Sequence, residues 1–546
     1  MRKIKFFPYI SIFISLFIMT SFLQKAASAF PYVINDFNFY ATPDTPNPEW
    51  GVPYIDPVFG TEIIRITDAE KYRSAGYPKW GIENCDGTKL LIYKHYIYNA
   101  NTFEIIHDMP RNCWDTKDPD QHWSAEDPNV LYITYGKEFL KYNVETGERT
   151  VLMDFRQQPE LASVADVISR VYTMEEGDAS DDRRYWPLIV RCYDANHDPT
   201  WYNSHLLMLD KDANGKDKPA IISIMDNTHP NWRGAGFISA SPSGKYVHVG
   251  APPSYIYSWD FESLRRIETH GHVDLAIDDT GREVIVWIAK YAGPDGYSSV
   301  EYGYWVKMAD IETGEEFWLA PFGKAAVFHA SGNCHKKPGW AAISCYLNES
   351  EDYWQSAQII MYELTRRLPA RPDWTNHGKV WRVAHTHVKR ERYADDPFAK
   401  LNLKGTKIWF QSGWGKSYND GGPINVYQIN LPSTWYEDLK NINVPPVAFI
   451  SADPTSGPPP LAVNFTGSAT DSDGTVVSYA WDFGDGSKSN EQKPIHTYNS
   501  VGTFKVTLTV TDNKGDCGRA STNISVTAKS DNTPPESPAG LRIVAN

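Results

Sequence analysis

The stretch Ala384–Ser412, AHTHVKRERYADDPFAKLNLKGTKIWFQS, decides how the rest of the chain is read. Its second half is one β-hairpin. Phe398-Ala399-Lys400-Leu401 reads as a strand, Leu403-Lys404-Gly405-Thr406 as a turn and Lys407-Ile408-Trp409-Phe410 as the returning strand. The warrant is the alternation of side chains around a glycine-containing loop. The first half carries His385 and His387 with one residue between them. Residues two apart in an extended chain point to the same side, so two imidazoles there can share a metal ion.

The same hairpin recurs along the chain. Copies lie at Ile82–Ile92, Trp123–Ile133, Gly177–Trp186, Ile238–Val247 and Val273–Val284, with a longer version from His329 to Trp340. Together with Ala384–Ser412 they make seven, roughly 40–65 residues apart, which is the spacing of propeller blades. The copy at Trp123 can be followed through a third strand, Phe139–Tyr142, a turn at Glu145–Glu148 and a fourth strand, Thr150–Leu152. The expected fold is all-β, with a seven-bladed β-propeller over residues 61–432. Thr61–Thr67 reads as a strand with no hairpin partner nearby, while the last blade ends at Val426–Asn430 with only three strands. Pairing the first strand beside the last would close the ring and remove an open edge.

At the N-terminus, Arg2, Lys3 and Lys5 precede an apolar run from Phe6 to Phe22, and Ala27-Ser28-Ala29 follows. Residues 1–29 read as a secretory signal peptide, with a membrane anchor as the alternative. No other stretch is apolar for long enough to span a bilayer. Removing those residues takes away four cations and no acid, so the formal charge moves from −14 to −18. An acidic, exported chain is a poor match for nucleic acid. An acidic substrate would need a locally basic funnel. The chain has 19 Trp and 32 Tyr, which suit stacked sheets first and sugar-binding surfaces second. Six cysteines in so long a chain are not a disulfide framework. Cys334 and Cys345 lie on the two arms of one hairpin, and both a bridge and free thiols are open to them.

Residues 30–60 are rich in Pro, Asn and Asp and are expected to be irregular, and residues 433–445 to be a linker. Beyond it the composition shifts to Thr, Ser, Val and Gly. Ser478–Gly486 (SYAWDFGDG), His496-Thr497-Tyr498 and Gly502–Asp512 (GTFKVTLTVTD) closely resemble the polycystic kidney disease (PKD) domain. The resemblance implies an immunoglobulin-like β-sandwich over residues 446–528 that spaces or attaches rather than catalyses. Asp471 and Asp473 suit a turn better than a calcium ion. Residues 529–546 form a tail whose Pro538–Val544 looks like the first strand of a fibronectin type III module.

In a propeller, the residues just before each innermost strand line one mouth of the channel. The register above puts Lys79, Trp80, His122, Glu176, Arg233, His272 and His329 there, with His385 and His387 for the last blade. His270, His335 and His377 lie nearby, and a slip in register exchanges them. Three imidazoles with an open position make a catalytic metal site, so His329, His385 and His387 are the candidate ligands, with Mn or Zn as the divalent ion. Cys334 as a fourth, thiolate ligand would favour zinc.

His272 in Gly271-His272-Val273-Asp274-Leu275, His329, and His385-Thr386-His387 resemble their counterparts in the oligogalacturonate lyases, with propeller-fold ulvan lyases as a related comparison. These are secreted or periplasmic propellers that cleave uronate chains by metal-assisted β-elimination. The lyases carry glutamine three positions before their His-x-His, where this chain has Arg382. The resemblance implies that a cation beside the uronate carboxylate, helped by Arg233, stabilises the enolate-like charge of the transition state. It also implies His272 as the base, with His122 as alternative base or as acid for the leaving oxygen. The partner would be an acidic polysaccharide or oligosaccharide. The rival expectation is a non-catalytic secreted propeller that binds glycan or protein at a cell surface, since propellers host many functions.

Overall fold

The computed structural model describes residues 32–68, 81–92, 95–109, 120–173, 177–193, 199–230, 232, 236–250, 253–269, 273–290, 304–323, 328–345, 354–366, 377–389, 391, 395–417, 423–471 and 473–528. Residues 1–31 and 529–546 lie outside them. The chain divides into two compact units, residues 1–438 and 439–546.

Among the described residues of the first unit there are seven antiparallel sheets. The first holds Lys89–Ile92, Tyr96–Asn99 and Ile105–Asp108. An extended segment precedes it, with Leu91 N donating to Ile82 O and Asn84 N to Lys89 O. Four sheets of four consecutive strands follow, opening at Asp120–Trp123, Ile168–Tyr172, Phe237–Ala240 and Asp274–Ile277. The sixth sheet runs outward from Phe328–Ser331 through Trp340–Cys345 and Gln358–Glu363 to Val380–His385, and the short strand Val33–Ile34 is added outside. The seventh runs from Lys400–Leu401 through Lys407–Ser412 to Asn425–Asn430. There Glu62–Arg65 pairs antiparallel, with Arg65 opposite Tyr427 and Glu62 opposite Asn430. Pro53–Ile55 completes that sheet outside it.

The turns explain why these segments fold as hairpins. Gly87, Gly244, Gly281 and Gly405 hold φ of 81°, 75°, 84° and 59°, a left-handed conformation that a side chain resists. A short polar side chain ahead of the glycine ties each turn locally. Asn84 Oδ1 accepts from the Thr88 and Lys89 amides, Asp278 Oδ1 from those of Thr280 and Arg282, and Asn402 Oδ1 from those of Thr406 and Lys407.

The core lies between sheets. Trp186, Leu188 and Leu207 of the third sheet pack with Val130, Tyr132 and Phe139 of the second. Ile285 and Trp287 of the fifth meet Ile256 and Ile267 of the fourth. Ile64, Trp409 and Val426 of the seventh share a cluster with Leu90 and Tyr98 of the first. Successive residues feed different clusters, Leu188 and Val190 towards the second sheet and Ile189 towards the fourth, so these strands are buried on both faces.

Two segments differ from the sequence expectation. Residues 30–60 are not wholly irregular, because Val33–Ile34 and Pro53–Ile55 find free edges on the sixth and seventh sheets. The expected linker contains a helix, Trp435–Asn441, whose Trp435 is fully buried and donates through Nε1 to Gly405 O at 2.7 Å. Cys334 and Cys345 are both buried and both free thiols.

The second unit is a sandwich. One sheet holds Val447–Asp453, Leu461–Thr470 and Ile495–Tyr498; the other is built around Val476–Asp482, Gly502–Asp512 and Cys517–Val526. Phe465, Trp481, Val506 and Leu508 fill the space between them. Asp471 accepts from the Asp473 amide, and Asp473 pairs with Lys514 at 2.7 Å, so both serve the turn as expected.

Candidate functional site

Two adjoining cavities are bordered by first strands and first turns of the sheets. The larger, about 150 Å³, is bordered by Asn84, Trp123, Arg183, Lys336 and Lys404 among others. The smaller, about 30 Å³, is bordered by Asp178, Ser239, Asp274, His335 and Lys400. Asp181, Asn333 and Leu403 border both. Between them the two cavities touch residues from each of the seven sheets or their first turns.

Their polar wall is a set of charge pairs. Asp178 receives the Arg183 guanidinium through Nη1. His122 Nδ1 lies 2.9 Å from the same carboxylate, without the alignment of a hydrogen bond. Burial alone would raise the Asp178 carboxyl, but Arg183 and His122 beside it hold it well below the usual carboxylate range. Asp274 faces Lys400 at 3.6 Å and accepts from the Gly332 amide at 2.8 Å. His335 Nδ1 lies 2.8 and 2.9 Å from the two oxygens of Asp181. An imidazole that donates Nδ1–H to a carboxylate presents a lone pair at Nε2, ready to accept a hydrogen bond or a proton. The His335 Nε2 atom is buried with no hydrogen-bond partner, and the side chain is 7% exposed.

The sequence-derived residues fall in several places. His122 stands on a first strand, fully buried and edge-on to Trp186 at 5.1 Å. His329 is also on a first strand, with its ring 4.2 Å from that of Phe398. Lys79, Trp80, Glu176, Arg233 and His272 lie outside the described residues.

His385 and His387 are elsewhere. His329 faces Ser344, Ser344 faces Ile359, and Ile359 faces Ala384, the neighbour of His385. Three strand spacings separate them, roughly 14 Å. His385 Nδ1 lies 3.0 Å from Asp56 Oδ2, and its ring stacks on Phe59 at 4.6 Å. His387 has φ of 51°, and its ring lies flat against Trp414 at 3.8 Å. The two imidazole centroids are 6.3 Å apart. Each has a buried Nε2 without a hydrogen-bond partner, and Asp56 braces His385 as a carboxylate braces a metal-bound histidine. A third ligand does not join them. Among the described residues no three His, Cys, Asp or Glu side chains are grouped to hold an ion. The trio His329, His385 and His387 is therefore not assembled, and Cys334 does not complete it.

Arg382, which stands where the lyases carry glutamine, is fully buried. It donates to Gln358 Oε1 at 2.9 Å, Trp354 O at 2.6 Å, Asn38 O at 2.6 Å and Asp36 O at 3.2 Å. Its role is to fasten residues 36–38 onto the sixth sheet.

Sequence reasoning missed Asp178, Asp181, Arg183, Asp274 and Lys400, and carried His335 only as a neighbour of the listed histidines. One signal was available. Asp178, Asp181, Asp182, Arg183 and Arg184 crowd a single hairpin, and Arg183 occupies the left-handed region at φ 59°. A non-glycine residue there marks a constrained backbone.

Residues 443–527 match the family model for the PKD domain. Over 87 residues the chain is 45% identical to Collagenase ColA of Clostridium perfringens, covering 16% of this chain and 8% of that protein. Over 56 residues it is 52% identical to Pre-pro-metalloprotease PrtV of Vibrio cholerae, covering 10% of this chain and 6% of that protein. The solved PKD1 domain of Vibrio anguillarum Epp is 36% identical, covering 16% of this chain and 100% of that one, with a TM-score of 0.15. The chain thus spans less than a tenth of the length of either of these curated relatives. Residues 443–527 form a PKD domain.

Proposed function

We propose that the seven sheets are the blades of a seven-bladed β-propeller and that the chain is an exported polysaccharide lyase, cleaving uronate-containing glycans by β-elimination at its channel. The supporting observation is the cavity wall itself, where His335, braced by Asp181, stands near Arg183, Lys336 and Lys400 contributed by different sheets. β-Elimination needs those two kinds of group. The C5 proton of a uronate is weakly acidic, and a cation beside the carboxylate stabilises the charge that builds as it leaves. A neutral histidine takes the proton.

His272 and Arg233 hold the base and carboxylate-binding roles by resemblance, and His122, oriented by Asp178, is the alternative base. No step runs through a metal, because the expected ligands are not grouped. The PKD domain serves as a spacer or attachment module, and an extracellular setting agrees with collagenase and metalloprotease relatives and with the leader at residues 1–29.

The test is a panel of acidic polysaccharides followed by ultraviolet absorbance, since β-elimination creates a conjugated double bond. New absorbance on at least one uronate polymer is expected. Binding without new absorbance on any of them would replace the lyase with the non-catalytic glycan-binding propeller.

A further inference from the structure

We infer that His385 and His387 hold a buried water molecule between them, and not the divalent ion that their His-x-His spacing first suggests. The geometry is independent of the lyase reading and bears on it in one respect. An elimination in this chain would draw its positive charge from the protein's own cations.

Both Nε2 atoms are buried without a hydrogen-bond partner, and the two residues are 0% and 3% exposed. Buried polar atoms are rarely left unpaired unless something else meets them. The spacing of the rings, whose centres are 6.3 Å apart, says which occupant fits. Consider two Nε2 atoms turned to one point. An ion at about 2.0–2.1 Å from each nitrogen lies about 3.2 Å from each ring centre, and a tetrahedral angle then brings the centres to about 5.2 Å. At 6.3 Å the angle at the ion opens to about 160°, which a tetrahedral site does not offer. A water hydrogen-bonded at about 2.9 Å lies about 4 Å from each centre. The same 6.3 Å then sets an angle of about 100°, close to the tetrahedral directions in which water forms its hydrogen bonds.

Neither ring is free to close the difference. Asp56 Oδ2 accepts from the His385 amide at 2.8 Å and lies 3.0 Å from Nδ1, while Phe59 stacks on the ring. His387 lies flat on Trp414 at 3.8 Å, and its carbonyl accepts from the Gly415 amide at 2.7 Å and from Ser412 Oγ at 3.1 Å. A His385 that gives Nδ1–H to Asp56 keeps Nε2 as an acceptor, which a water O–H meets. Charge points the same way. The Arg382 guanidinium lies 5.1 Å from the Phe59 ring on which His385 stacks. A fixed positive charge within about 10 Å of the His385 ring opposes a divalent ion in a low-dielectric interior and leaves a neutral water unaffected. Among the described residues no third His, Cys, Asp or Glu joins the pair to hold an ion.

The test is a crystal of the full chain grown with manganese or zinc ions in excess, with diffraction recorded at the absorption edge of the metal. Elemental mass spectrometry of the same protein after gel filtration accompanies it. A solvent peak within hydrogen-bonding distance of both Nε2 atoms is expected, with no anomalous signal there. Bound metal should not differ between the unaltered chain and His385→Gln. His387→Phe keeps a ring against Trp414 and removes the nitrogen, so it should leave the metal content unchanged as well. An anomalous peak between the rings, one equivalent of metal that either substitution removes, or two Nε2 atoms that share no solvent peak would each overturn the inference. Ultraviolet absorbance on uronate polymers separates it from the lyase reading. The water without new absorbance on any polymer would sink the lyase alone. New absorbance that a chelator abolishes, together with a metal between the rings, would sink the water alone.

Discussion

Replacing Arg382 by alanine should cost the first unit about 3–5 kcal/mol, the range for removing one partner from a buried charged network. The structure shows where the loss comes from. The guanidinium makes four hydrogen bonds, three of them to backbone carbonyls, and lies within 4.8–5.6 Å of the rings of Tyr40, Phe59 and Trp354. Trp354 O keeps a second donor, Gln358 Nε2, at 3.0 Å. Gln358 Oε1, fully buried, loses this donor at about 1–3 kcal/mol, and the part-buried Asn38 and Asp36 carbonyls lose it at less because water can replace it. Arg382→Lys should fall between the two, because a single ammonium cannot reproduce the planar fork or its stacking. Denaturant unfolding followed by tryptophan fluorescence measures the total. Limited proteolysis locates the effect, since the region around residues 36–38 should become the first cleavage site. A loss under about 1 kcal/mol, or no new cleavage there, would show that the network is not what fastens this segment.

Three further outcomes are expected. Asp178 is ionised more readily folded than unfolded, so its stabilisation is complete above the unfolded carboxyl value of about 3.9 and is lost as the pH falls toward its lower folded value. Asp178→Asn should therefore flatten the decline of melting temperature on acidification, and an unchanged slope would contradict the Arg183–Asp178–His122 assignment. Burial pushes the Cys334 thiol up to about 12, whereas Cys517 is exposed. Iodoacetamide on the native protein at mildly alkaline pH should label Cys517 and spare Cys334, as mass spectrometry would show. Finally, residues 443–546 produced alone should unfold cooperatively, and a chain ending near residue 442 should retain any lyase activity on soluble oligomers; loss of that activity in a folded first unit would rule out the spacer role.

The hairpins were legible because their causes are local, and the pairing of first strand with last because one strand lacked a neighbour and the last blade lacked a strand. A glycine with positive φ, an Asn or Asp one turn earlier and alternating apolar residues all sit within a dozen positions. The histidine site was not legible, for two physical reasons. The His-x-His argument assumed an extended chain, but the strand ends at His385 and the backbone turns left-handed at His387. The two rings therefore pack against different partners, Phe59 and Trp414. The second reason is distance along the chain. Asp56, which braces His385, comes from a segment whose Pro and Asn content reads as irregular. The cavity acids are equally non-local, since His335 and Asp181 come from the sixth and third sheets. No short-range pattern announces such a pairing.

The partnership of Arg65 with Tyr427 bears on biogenesis. A chain is made N-terminus first, so Glu62–Arg65, paired on one edge with Pro53–Ile55, must wait with its other edge unpaired until Asn425–Asn430 has been made as well. Until then Ile63 and Ile64 offer an open, apolar strand edge to any other chain. A premature stop anywhere before residue 425 would leave that edge permanently without its own partner. Such truncations should appear as aggregates or degradation products rather than as smaller soluble versions, so the last strand works as a quality checkpoint on the whole first unit.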